Sequence, residues 1–481
     1  MSEIRKAVIF SSISRYSVML IGLILTMLVA RLLTPEEIGT FAIASGIVML
    51  VSEFRILGAG AFLVREPELS PSKVRAALGL TILISWTLGL AIMAIAPVAA
   101  VFYSVPEIST VFRVLAVVFF LAPFISIPVA LLSRNLKFNL LFRVELIGTL
   151  TILVATISLI YAGFSFYALA WGQVITAAIK CLLLNTALRP DAMVYVPSYR
   201  GIKPIASLGI FTSIANVLKR APAILPDMVI GKLGTTFQVG IFSRGMGFIQ
   251  FITATLMKGI SPVVLPYLSG ARREGSDVRF AYQRASVLLG ALVCPVLAVG
   301  SLATLPAIRL FFGSQWDAAA PLAAWLALWA AFRVVHFFSD DVMVAMHKEK
   351  IMVGQNLFVF SILSIGIITA FPAGLERVAQ TFTAVGVVDA ILSTWVLKAC
   401  IGLKIIPFIR AWVPNLLITV SCALMTLAIR QFLDFELAPA WQPILALALI
   451  MPPFWLLMLF GLGHPLFLEF QRALNSVFRK K

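Results

Sequence analysis

Val229-Ile230-Gly231-Lys232-Leu233-Gly234-Thr235-Thr236-Phe237-Gln238-Val239-Gly240-Ile241-Phe242 has a counterpart earlier in the same chain. Laid without gaps on Leu28 to Phe41, it passes through the turn Leu32-Leu33-Thr34-Pro35-Glu36-Glu37. Upstream, Ile9, Phe10, Ser12 and Ile13 fall on Ile210, Phe211, Ser213 and Ile214. Downstream, Leu32, Thr34, Gly39 and Phe41 fall on Leu233, Thr235, Gly240 and Phe242. Few positions are identical, but they share one helix–turn–helix topology and one turn length, which marks an internal duplication.

The sequence around both copies is apolar. Of 481 residues, 61% are hydrophobic and 12% charged, with a mean hydropathy of +1.02; globular proteins average about 25% charged residues. Runs of about 20 apolar residues recur throughout, each long enough to cross about 30 Å of hydrocarbon as a helix. The expected fold is therefore an all-α polytopic membrane protein of about fourteen transmembrane helices. They are expected near 8–31, 38–63, 76–101, 110–132, 144–163, 167–186, 205–231, 238–266, 285–312, 321–345, 351–371, 378–399, 411–432 and 441–463. Six helices separate the two copies, so both face the same way. This predicts parallel six-helix lobes over 1–200 and 201–400, with a substrate site between them. Helices 13 and 14 (401–463) stand outside the repeat. The tail, 464–481, places Phe467, Phe470, Leu474 and Phe478 at helical spacing and ends in Arg479-Lys480-Lys481, as an amphipathic helix on a cytoplasmic lipid surface would.

The net charge of +17 is not a nucleic-acid signature here, because Arg and Lys crowd alternate loops. With the N-terminus inside, cytoplasmic segments hold Arg65, Lys73, Arg75, Arg134, Lys137, Lys348 and many others, whereas the opposite loops hold Lys232 and Arg377. That bias places both termini in the cytoplasm. Cys181, Cys294, Cys400 and Cys422 lack metal or disulfide spacing and are expected as small core residues. No loop is long enough for a soluble catalytic or nucleotide-binding domain, and no phosphate-binding loop motif occurs. Neither cofactor nor metal is expected, and the chain is not expected to be an enzyme.

Charges inside the helices carry the functional signal, since each costs about 2.5–3.5 kcal/mol at the bilayer centre unless a watery cavity receives it. They are Arg15, Arg55, Lys219, Arg220, Arg244, Lys258 and Arg333. Arg244, Phe251 and Lys258 recur every seven residues, near one face of a helix. A ladder of cations at several depths suits a pyrophosphate, which Arg can grip bidentately. Acids are fewer. Asp227 lies two turns from Arg220 and can be its partner or a coupling-ion ligand. Arg333, His336 and Asp340 follow at spacings of three and four, as an ion-pair network or a proton relay. Glu53, Glu145 and Asp389 fit either pairing or coupling. Pro222, Pro226, Pro262 and Pro266 offer kinks.

The stretch Ala30-Arg31-Leu32-Leu33-Thr34-Pro35-Glu36-Glu37-Ile38-Gly39-Thr40-Phe41 resembles the first helix–turn–helix of bacterial Wzx-type polysaccharide flippases, a branch of the multidrug/oligosaccharidyl-lipid/polysaccharide exporter superfamily. Asp227-Met228-Val229-Ile230-Gly231 with Val239-Gly240, Pro262 and Pro266 resembles the matching second-half signature. The resemblance implies a V-shaped cavity between the lobes, lined by helices 1, 2, 7 and 8. It implies transport of undecaprenyl-pyrophosphate-linked oligosaccharide across the cytoplasmic membrane by alternating access. Expected partners are that lipid-linked oligosaccharide, membrane lipids and polysaccharide polymerase machinery. The competing readings are a cation-coupled drug antiporter, which wants acids in its cavity, a flippase for the peptidoglycan lipid precursor, and a membrane glycan polymerase, which wants a large outer loop.

Overall fold

The computed structural model describes residues 2–55, 59–188, 196–257, 270 and 277–478; the side chains of 2–15, of most positions from 203 to 219 and of 473–478 lie outside the described part. Among the described residues every regular element is helical. The chain packs as two compact units, Met1–Ser243 and Arg244–Lys481.

The first unit begins with α1 (Ser2–Leu32) and α2 (Pro35–Ser52), joined by a turn that the sequence writes out. Thr34 caps α2: its Oγ1 accepts from Glu37 N at 3.3 Å, Glu37 Oε2 accepts from Thr34 N at 2.8 Å, and Pro35 starts the helix. This reciprocal box satisfies two donors that a helix start otherwise leaves bare. The duplicated turn repeats it between α9 (Lys203–Leu233) and α10 (Thr236–Met257). There Thr235 Oγ1 accepts from Gln238 N at 3.3 Å and Gln238 Oε1 accepts from Thr235 N at 3.1 Å.

Between the copies run α3 (Ala59–Arg65), α4 (Pro71–Tyr103), α5 (Glu107–Leu121), α6 (Pro123–Arg134), α7 (Phe138–Leu159) and α8 (Tyr167–Leu188). The span expected over 38–63 is shorter, because α2 ends at Ser52 and the short α3 follows. Arg134 anchors the end of α3, donating to Leu63 O and Pro67 O, both at 3.0 Å. The span expected over 110–132 is a pair, α5 and α6, bent by 43°. Pro123 opens α6 and supplies no N–H to continue α5.

The second unit holds the remainder of α10, then α11 (Val278–Leu302), α12 (Thr304–Phe311), α13 (Ala320–Val335), α14 (Ser339–Ala345), α15 (Glu349–Ala370), α16 (Leu375–Ile401), α17 (Ile405–Phe432), α18 (Trp441–Gly461) and α19 (Pro465–Phe478). The last membrane helices are tied into this unit by hydrogen bonds onto α11. Asn415 Nδ2 donates to Val287 O at 2.9 Å, Trp412 Nε1 to Ser286 Oγ at 3.2 Å, and Trp455 Nε1 to Ala291 O at 2.8 Å. Gly290 makes room, since a Cβ there would run into the Trp412 ring. The tail helix α19 lays Phe467 against Phe460 and Phe470 against Trp455, with ring centroids 5.3 and 6.0 Å apart, and Glu469 pairs with Arg284.

Among the described residues eleven helices are long and apolar enough to cross a membrane, or twelve if the bent pair counts as one span, so the expected fourteen are not all met by that test. The two segments expected at 8–31 and 205–231 lie in α1 and α9, each 31 residues long. Lys219, Arg220, Asp227 and Lys232 dilute the apolar character of α9.

Candidate functional site

Arg220 sits within α9, seventeen residues after Lys203 and thirteen before Leu233. Its partner is not Asp227. Arg220 Nε lies 3.0 Å from Glu53 Oε1, where α2 ends; the Arg220 side chain is 49% exposed and that of Glu53 13%. One face of the guanidinium is thus anchored by a sheltered carboxylate while the rest stays accessible. Asp227 is half-buried further along α9. Lys219 lies on the same helix, but its side chain is outside the described part, as is that of Arg15 on α1; Lys258 lies outside the described residues entirely. The spacing that joins Arg244 to Lys258 is therefore not met by any described contact.

Arg55, just past α2, is half-buried, with its guanidinium carbon 5.6 Å from the centre of the Phe119 ring. Its Nε is buried without a hydrogen-bond partner among the described residues.

In the second unit, Arg244 on α10 is held between two buried rings, 4.9 Å from the centre of Phe312 and 4.7 Å from that of Trp316. Trp316 follows α12 in a short 3-10 helix, Ser314–Ala319. Flat aromatic faces attract a guanidinium and fix its plane. Its Nε is also buried without a hydrogen-bond partner among the described residues.

Arg333 lies in the last turn of α13, exposed, 5.0 Å from the centre of the Trp329 ring. The stripe expected from Arg333 through His336 to Asp340 is interrupted, because α13 ends at Val335 and a turn at 336–338 precedes α14. His336 caps α13 and spends both ring nitrogens on the bundle. Nδ1 is 2.8 Å from Tyr282 Oη and Nε2 is 2.8 Å from Thr394 Oγ1. Thr394 already donates to Ala390 O, so its oxygen accepts from Nε2–H and the tyrosine hydroxyl donates to Nδ1. The ring lies nearly parallel to those of Tyr282 and Phe408, with centroids 6.2 and 5.2 Å away, and those two rings are themselves 6.3 Å apart. Asp340 is half-buried in the first turn of α14.

Two further polar features carry no sequence motif. Gln355 Nε2 donates to Ser393 Oγ at 2.6 Å and to Asp389 Oδ1 at 3.2 Å, while Gln355 Oε1 is buried without a partner among the described residues. Lys180 pairs with Glu145 at 2.7 Å. Asp389 and Glu145 stand out in the sequence as acids within apolar segments, but nothing local singles out Gln355.

Within each unit, cations held by aromatic faces or single carboxylates keep donor capacity that can meet a phosphate-bearing anion. The chain is 22% identical over 427 residues to the teichuronic acid biosynthesis protein TuaB of Bacillus subtilis, covering 87% of each protein. It is 19% identical to the lipopolysaccharide biosynthesis protein WzxC of Escherichia coli, over 84% of this chain and 83% of that one. Its fold matches the lipid II flippase MurJ in an inward closed conformation with a TM-score of 0.69 at 14% identity, over 95% of this chain and 100% of that one. Residues 28–321, from the first copy of the hairpin through the second and into α13, match the family described as Polysaccharide biosynthesis protein, and the chain belongs to that family.

Proposed function

We propose that this protein is a flippase that moves undecaprenyl-pyrophosphate-linked oligosaccharide across the bacterial cytoplasmic membrane for surface polysaccharide synthesis. It works by alternating access between two lobes, with both termini in the cytoplasm, and leaves its cargo chemically unchanged. The observation that carries the reading is Arg220. A guanidinium near the middle of a membrane-length helix, tethered on one side and nearly half exposed, needs water or an anion at that depth. The names of TuaB, a teichuronic acid biosynthesis protein, and WzxC, a lipopolysaccharide biosynthesis protein, support a glycan as the cargo. Arg15, Arg55, Lys219, Arg244, Lys258 and Arg333 complete the proposed cationic path, with Asp227 and Asp340 as the acids available for ion coupling. His336 is better read as a structural clamp.

Three assays test this. Export of polysaccharide is lost when Arg220→Gln and Arg244→Gln are combined while the protein still inserts and folds; full export by that variant removes these residues from the path. Reconstitution with a synthetic undecaprenyl-pyrophosphate glycan, with and without imposed proton or sodium gradients, measures flipping directly. Restored drug resistance in an efflux-deficient host, with no flipping, points instead to a drug antiporter.

A further inference from the structure

The first unit carries an open-sided cavity of about 740 Å³ that the sequence did not announce. Its size falls in the range of sites that hold small molecules, roughly 300–1,000 Å³. The walls come from the end of α2 and from α3, α5, α6, α7 and α8, all within Met1–Ser243. Most are aliphatic, among them Val118, Ile125, Val129 and Ile152. Against this apolar surface stand three cations, Arg55, Arg65 and Lys180.

Two lining groups are left unsatisfied. Arg55 Nε and Ser126 Oγ are both buried with no hydrogen-bond partner among the described residues. Buried donors without acceptors are costly and are rare in native proteins, so two beside one cavity point to an acceptor that belongs there. Lys180 is partly neutralised by Glu145, which leaves Arg55 and Arg65 as the main positive charges at the cavity. Nearby basic groups are otherwise engaged: Arg134 is used on the carbonyls that end α3, and Lys73 bonds Glu66 at 2.5 Å.

We infer that this cavity binds a lipid-borne phosphate, with the phosphate at Arg55 and Ser126 and the first part of an apolar chain along α5, α6 and α7. An acceptor of several lone pairs is what an orphaned guanidinium N–H and an orphaned hydroxyl call for. Aliphatic walls favour a phosphate that arrives on a hydrocarbon chain over a free, fully hydrated ion. On the orientation proposed above, on which this inference rests, α3 and the α6 end carrying Arg134 lie toward the cytoplasm. The cavity then serves the leaflet in which a lipid-linked cargo is loaded. It is a lobe-internal site that shares Arg55 with the proposed cationic path, and it reads the carrier rather than the glycan.

The test uses the full-length protein in phosphatidylcholine nanodiscs. Native mass spectrometry counts retained lipid after addition of a polyprenyl phosphate that bears no sugar. The wild type should retain it at least tenfold over Arg55→Gln/Ser126→Ala and over Val129→Trp, which fills the cavity from an exposed rim position and spares the core. Unchanged melting temperatures show that the variants fold. Equal displacement by phosphatidylglycerol assigns the site to diacyl lipid phosphates and keeps the inference; equal displacement by inorganic pyrophosphate overturns it, as does retention unaffected by the variants. Flipping of the glycan-bearing lipid is scored separately with the Arg220→Gln/Arg244→Gln variant. Carrier retained without flipping in the wild type counts against the flippase reading alone, and flipping without retention counts against the cavity alone.

Discussion

Gly39 and Gly240 occupy the same place in the two copies of the hairpin, and they meet. A Cβ on Gly39 would collide with Thr236 O, and a Cβ on Gly240 with Pro35 O. Pro35 and Thr236 are themselves equivalent positions, so each copy presents its first helical residue to the other's glycine. Such reciprocity is what a two-fold relation between duplicated elements produces. It brings the backbones of α2 and α10 together immediately after their capped starts, where only hydrogen fits.

Substituting either glycine should therefore be felt at once. Gly39→Val or Gly240→Val has to push α2 from α10, and overpacking of this kind typically costs about 1–3 kcal/mol. Gly22 on α1 has nothing within 4 Å of an added Cβ, so Gly22→Ala should leave stability unchanged or raise it by about 0.4–1 kcal/mol. Thermal melting in detergent compares the three; equal melting of Gly39→Val and wild type contradicts the close approach.

The pair Glu53–Arg220 lends itself to a charge swap. Glu53→Gln and Arg220→Gln each break the ion pair, and a double-mutant cycle should return a coupling of roughly 1 kcal/mol, near the top of the range for partly exposed pairs. Glu53→Arg combined with Arg220→Glu restores the pair with the charges exchanged, so it should recover stability. Export should stay lost, because the accessible cation has moved off α9. Recovery of both properties would falsify a cargo role for Arg220.

How much of this was legible beforehand differs between features for physical reasons. The hairpin and its copy are readable because capping is local: Thr34 and Glu37, like Thr235 and Gln238, stand three residues apart and find each other within one turn. The Glu53–Arg220 pair joins residues far apart in the chain, whereas Asp227, at helical spacing from Arg220, was the nearer of the acids that sequence alone could offer as a partner. The break at Ala303 lies between Gly300 and Pro306, but the one at His336 falls where no proline or glycine interrupts the sequence. Tertiary bonds hold the second of them, through Tyr282 and Thr394. Conversely, Pro222 and Pro226 lie inside α9, which runs on through both. The cavity in the first unit was invisible because its walls are ordinary aliphatic residues drawn from six segments.

His464, in the turn between α18 and α19, gives a pH dependence of definite sign. Its Nδ1 accepts from Leu466 N at 3.1 Å, so Nε2 carries the proton and donates to Asn415 Oδ1 at 2.8 Å. Burial lowers its pKa below the ordinary value. The unfolded chain, with histidine near 6.5, then binds the proton first as pH falls. The stabilisation is complete above about pH 6.5 and is lost progressively below it, toward the lower folded value. Melting temperature should therefore drop between about pH 7 and 5 in the wild type, with a smaller drop in His464→Gln. Identical slopes for the two proteins remove His464 from the acid response.

The aromatic clamp on Arg244 separates charge from shape. Arg244→Lys keeps one positive charge, but an ammonium on a flexible stem cannot lie flat between Phe312 and Trp316. A desolvated cation–π contact is worth about 1–2 kcal/mol, so the lysine variant should lose roughly that much stability. Trp316 is fully buried, and Trp316→Ala should cost about 3–5 kcal/mol by leaving a large hole. Trp316→Phe keeps a ring at that place and should lose much less than Trp316→Ala. For export, the clamp matters if the guanidinium must hold one plane to meet a phosphate. Export by Arg244→Lys should then fall by at least tenfold at equal protein level, while Trp316→Phe keeps most of it. Full export by Arg244→Lys shows that only the charge is read at this depth, and that the two rings serve packing alone.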